Sequence, residues 1–118
     1  LLDYVIEHTP DSQTLAGIIE AKQLPKDCSV PLAVRALGNG SYVSSQDTVP
    51  FALWCAARHV GSFEDAMWTT VSGLGDRDTT CAIVGGILGA RQRSIIPIEW
   101  LQARESIDSW EETEDLDR

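Results

Sequence analysis

Gly75-Asp76-Arg77-Asp78-Thr79-Thr80-Cys81-Ala82-Ile83-Val84-Gly85-Gly86-Ile87-Leu88-Gly89-Ala90 is the stretch from which the fold is read. Between Thr80 and Ala90 there is no charged side chain. The run is shorter than the roughly 20 apolar residues that span a bilayer. It is also too apolar for a surface helix, so it predicts a buried central helix. Gly85, Gly86 and Gly89 each lower helix propensity by about 1 kcal/mol relative to alanine. Three of them in one helix imply neighbours that approach very closely.

Helical signals continue on both sides. Gly73-Leu74-Gly75 breaks the preceding helix, which starts at Ser62-Phe63-Glu64-Asp65, a capped and acidic first turn suited to the helix dipole. Phe63, Ala66, Met67, Thr70 and Leu74 are expected on one stripe. Before it, Val49, Leu53, Ala56, Ala57 and Val60 recur at helical spacing, with Asp47 or Thr48 as cap and Pro50 in the first turn. Ser44, Ser45 and Gln46 read as an exposed lead-in to that helix. Gly38-Asn39-Gly40-Ser41 is a turn by composition. Pro31 suits the first turn of a helix through Leu37, and Leu15, Ile18 and Ile19 follow a capping Thr9-Pro10-Asp11-Ser12 turn. Leu2 to Ile6 resembles the end of a helix. Downstream, Pro97 opens a short helix through Trp100 and Leu101, and Glu111 to Arg118 holds five acids and one base. Strand alternation is nearly absent. The expectation is an all-α unit over residues 1–104, packed around residues 80–90, followed by a solvated acidic tail over 105–118.

With 18 acidic and 9 basic residues the 118-residue chain carries a formal charge of −9. That balance argues against a basic face for nucleic acid or anionic membrane. Cys28, Cys55 and Cys81 are odd in number and lack CxxC spacing, which disfavours a disulfide scaffold or zinc knuckle and fits a reducing cytoplasm. The sequence opens Leu1-Leu2-Asp3, and Met67 is its only methionine. It is read as the carboxyl-terminal piece of something longer.

Asp76, Asp78 and Thr79 form the sharpest chemical constellation. Two carboxylates and a hydroxyl at the mouth of a helix, behind a glycine bend, offer the oxygen ligands that Mg²⁺ prefers. The same residues also suit a simple helix cap, accepting from the first free N–H groups. Gly38 to Ser41 reads from its composition as a helix-ending turn, with Gly38 at the C′ position. His59, near a helix end, and His8, beside a turn, show no catalytic partner. Cys55 and Cys81 read as core residues, and Trp54, Trp68 and Trp100 as packing, with one of them open to flanking a planar base. Arg91 and Arg93 fit a helix C-terminus.

At this point the sequence resembles a known family. Gly75-Asp76-Arg77-Asp78-Thr79 is similar to the GDxDT signature of ADP-ribosylglycohydrolases. Leu37-Gly38-Asn39-Gly40, Asp47-Thr48-Val49-Pro50-Phe51-Ala52-Leu53 and Ile96-Pro97-Ile98-Glu99-Trp100 match in order and spacing across residues 36–101. The resemblance implies a compact orthogonal all-α fold and a binuclear Mg²⁺ site, with Asp76, Asp78 and Thr79 as ligands from its carboxyl-terminal side. It places Gly38, Asn39, Gly40 and Ser41 beside bound ADP-ribose. The substrate would be an ADP-ribosylated protein or an ADP-ribose-containing small molecule. The family's remaining ligands come from a GDALG-like segment and a Thr-Asp-Asp stretch, neither of which occurs here. They and the general base are expected upstream, in an amino-terminal remainder of the same protein. The chain alone is therefore expected to bind metal poorly. The alternative is a non-catalytic ADP-ribose-binding or structural protein on the same scaffold.

Overall fold

A computed structural model describes residues 1–106; the acidic stretch Glu111 to Arg118 lies outside them. Among the described residues seven α-helices and one 3₁₀ turn follow one another: α1 Leu2–His8, α2 Gln13–Gln23, α3 Val30–Leu37, α4 Ser45–Arg58, α5 Phe63–Ser72, α6 Arg77–Arg91, the turn Arg93–Ile95, and α7 Ile98–Ala103. No strand occurs among the described residues. The fold is all-α, as expected. No described helix is long and apolar enough to cross a membrane.

The helix starts follow local chemistry. Ser12, Ser29 and Ser62 cap α2, α3 and α5 by accepting the N–H groups of Leu15, Leu32 and Asp65. Pro31 sits in the first turn of α3, where its missing donor costs little. One start differs from expectation. Helix α4 begins at Ser45 with Ser44 before it, so Pro50 lies inside the helix and neither Asp47 nor Thr48 is the cap. Its ring packs against α2 at Gly17, where an added Cβ would come within 2.5 Å of Pro50 Cγ.

The centre of the molecule also differs. Eight of the fourteen residues of α4 are buried, from Thr48 and Pro50 to Ala56, and the helix packs against α2, α3, α5 and α6. Phe51 stacks near Trp54 with ring centroids 6.0 Å apart, and the Arg58 guanidinium covers Trp54 at 4.5 Å. By contrast α6 buries only Thr80, Val84 and Leu88, one stripe at four-residue intervals. Its face through Ala82, Gly86 and Ala90 is exposed. The glycines are not pressed by a neighbouring helix: a Cβ on Gly86 would meet nothing within 4 Å, and one on Gly85 would make ordinary contact with Phe63 at 3.6 Å. Helix α4, not α6, is thus the hub. Charge-free composition allows burial, but neighbouring elements decide which face receives it.

Helix α5 lays Phe63, Ala66 and Thr70 inward as the pattern predicts. Leu74 leaves that stripe. It turns into left-handed backbone at φ +60° and is exposed.

Candidate functional site

Two loops meet to build the site. One leaves α3 at Gly38 and runs to Ser44; the other joins α5 to α6 through Gly73, Leu74, Gly75 and Asp76. Asn39 locks them together. Its carbonyl accepts from the Asp76 N–H at 3.1 Å, and its Nδ2 donates to the Gly73 carbonyl at 3.0 Å. Its Oδ1 accepts from the Ser41 N–H and hydroxyl at 3.2 and 2.7 Å. The approach is so close that side chains would not fit. Gly75, at φ +64°, would drive a Cβ into the Asn39 carbonyl. Gly40, at φ +89°, would place one 2.9 Å from Asp76 Cβ.

Asp47 anchors the first loop from α4. Its backbone carbonyl accepts from the Gly40 N–H at 2.9 Å, and its Oδ2 accepts from the Tyr42 N–H at 2.7 Å. The N–H groups of Gly38, Gly40 and Ser41 are therefore all engaged within the protein. In this arrangement the segment Gly38-Asn39-Gly40-Ser41 buttresses Asp76 through the Asn39 carbonyl.

Asp76 is the N-cap of α6, with Oδ1 accepting from the Thr79 N–H at 3.4 Å. Its carbonyl receives both the N–H and the hydroxyl of buried Thr80, which seat the first turn against the core. Asp76 and Thr79 open on a pocket of about 290 Å³, also lined by Val43, Ser44, Ser45, Thr48, Val49 and Ile83. Asp78 stands exposed on the same turn, outside that lining. The cap occupies one of the two Asp76 carboxylate oxygens and leaves Oδ2 without a part in it.

Burial pushes the Cys55 thiol up to about 12, only partly countered by its hydrogen bond with Thr70. Cys81 is raised as well, by burial first and by the Asp78 charge second. Neither is a ready thiolate at neutral pH. His59 Nε2 lies 2.9 Å from the Thr69 hydroxyl, and His8 stacks on Tyr4 at 4.2 Å.

The donor set suits Mg²⁺ in kind: two carboxylates and a hydroxyl, all hard oxygens, with charge enough to balance a divalent ion. It does not complete a coordination shell. Among the described residues no group of three His, Cys, Asp or Glu could hold a metal ion.

The model of the family described as ADP-ribosylglycohydrolase matches residues 1–118, the whole chain. The chain belongs to the ADP-ribosylglycohydrolase family. No curated protein and no solved structure matches it significantly. The match reaches past residues 36–101, which carry the visible motifs, into α1, α2 and the acidic end. Membership points to a hydrolase acting on ADP-ribosylated substrates. Within this ADP-ribosylglycohydrolase chain, sequence reasoning missed Asp47 as the loop anchor and Val43, Val49 and Ile83 as pocket wall. Asp47 carried a signal: an acid at short range behind a glycine turn can accept the N–H groups that the turn leaves open.

Proposed function

We propose that this chain supplies part of the metal site and the substrate loop of a hydrolase that cleaves the glycosidic bond of ADP-ribose on a protein or small molecule. The observation that carries this reading is the Asn39 junction, which holds Asp76 and Thr79 at the rim of one pocket. Asp76, Asp78 and Thr79 would hold Mg²⁺, with Asp76 keeping one oxygen on its cap. Bound there, Mg²⁺ supplies charge that orients ribose hydroxyls and acidifies water. The protein's own part is positional. Gly38, Asn39, Gly40 and Ser41 shape the loop that faces the substrate and fix Asp76, while the first turn of α6 fixes Asp78 and Thr79. Cleavage of such a bond passes through an oxocarbenium-like state, which a fixed carboxylate rim favours electrostatically.

A second reading, ADP-ribose binding without turnover, is supported by the small number of clustered carboxylates among the described residues. Thermal melts and titration calorimetry with Mg²⁺ and ADP-ribose separate the two. ADP-ribose and Mg²⁺ should each raise the melting temperature of the chain, with Mg²⁺ acting only at high concentration. Asp78→Ala should abolish the Mg²⁺ contribution. Binding of ADP-ribose with no release from a modified substrate favours the second reading. No response to either ligand overturns both.

A further inference from the structure

Two apolar residues hold left-handed backbone, Val43 at φ +55° and Leu74 at φ +60°. Glycine would adopt this conformation freely, whereas a β-branched valine there is a steric outlier. Both side chains are exposed, yet they differ in one respect. Val43 lines the pocket that contains Asp76 and Thr79, and Leu74 does not. Strain alone is therefore uninformative, but strain retained at a pocket wall points to a use for the side chain.

The pocket presents two kinds of surface. Asp76, Thr79 and Thr48 offer oxygen, while Val43, Val49 and Ile83 offer hydrocarbon. Its volume of about 290 Å³ lies at the small end of ligand sites, enough for one sugar ring rather than a whole nucleotide sugar. A furanose is divided in the same way, with hydroxyls on its edge and C–H groups on its faces. We propose that Val43, backed by Val49 and Ile83, is a specificity-determining wall that receives the hydrocarbon face of the ribose of ADP-ribose while the ribose hydroxyls turn to Asp76 and Thr79. This inference rests on the ADP-ribose reading above.

The test is calorimetric titration of ADP-ribose, with Mg²⁺ present, into the wild-type chain, Val43→Gly, Val43→Thr and Leu74→Gly, each paired with a thermal melt. Val43→Gly relieves the backbone, so its melting temperature should rise while ADP-ribose binds about tenfold more weakly. Val43→Thr keeps the shape and the strain but puts a hydroxyl on the wall; it should melt like wild type and bind several-fold more weakly. Leu74→Gly should melt higher with affinity unchanged. Wild-type affinity in Val43→Gly, or an equal loss in Leu74→Gly, overturns the wall and leaves the ADP-ribose reading standing. Failure of the wild-type chain to bind ADP-ribose at all overturns both.

Discussion

The Asp76 carboxylate has two oxygens, of which Oδ1 accepts the Thr79 N–H at 3.4 Å. Substitution can separate the two uses of this side chain. Asparagine keeps an oxygen for the cap and removes the charge, whereas alanine removes both. In urea denaturation Asp76→Asn should stay near wild type and Asp76→Ala should lose about 1 kcal/mol, the usual worth of an N-cap. Both should lose Mg²⁺-linked stabilisation. If asparagine proves as costly as alanine, charge at the helix start matters more to folding than the cap bond. Asn39 belongs to the same scale. Asn39→Ala strips partners from the Gly73 carbonyl and from both Ser41 donors. A loss of about 1–3 kcal/mol is expected, chiefly from the part-buried Gly73 carbonyl left unpaired while water takes over the exposed Ser41 donors, measured by the same denaturation curves. The motif made Asp76, Asp78, Thr79 and the glycine turn visible in the sequence. It could not separate Asn39 as a brace from Asn39 as a ligand contact, because that depends on a partner 34 residues away.

Helix α6 and the loop before it hold glycines of opposite kinds. Gly86 sits inside the helix with nothing within 4 Å of an added Cβ, while Gly75 has φ +64° and faces the Asn39 carbonyl. Gly86→Ala should therefore stabilise the chain by about 0.8–1 kcal/mol through helix propensity. Gly75→Ala should destabilise it by more than about 2 kcal/mol, since both backbone strain and a clash follow. Thermal melts of the two variants should move in opposite directions; a fall for Gly86→Ala would mean that its face is covered by something outside the described residues. Local chemistry explains which elements could be read. Helix α5 was legible because Ser62, the acidic first turn and the apolar stripe all agree. The start of α4 was not, since Pro50 is a strong first-turn signal, yet it lies inside the helix with its ring fitted against Gly17 of α2.

At the scale of the molecule, α4 is the hub because α2, α3, α5 and α6 all pack on it. The charge-free run in α6 is the stronger sequence signal, yet burial belongs to pairs of elements and no single stretch encodes it. The same limit hid Asp47 and Val43, whose roles depend on a loop folding back across the start of α4. The all-α architecture needed only local periodicity and caps, so it was legible throughout. Cys55, fully buried in α4, reports on this hub. Burial pushes its thiol up to about 12 from an ordinary 9.0, so the folded chain keeps a proton that the unfolded chain releases. The unfolded state then binds fewer protons between these values, and stability must fall as pH rises through that window. Below pH 9.0 the contribution is complete. Other groups titrate there too, so the informative quantity is the difference between wild type and Cys55→Ala. That difference should be level from about pH 7 to pH 8.5 and should drift steadily against the wild type above about pH 9. A difference that stays level to about pH 10.5 would show that the thiol reaches water without unfolding, and that the packing of α4 against α6 is looser than the structure shows.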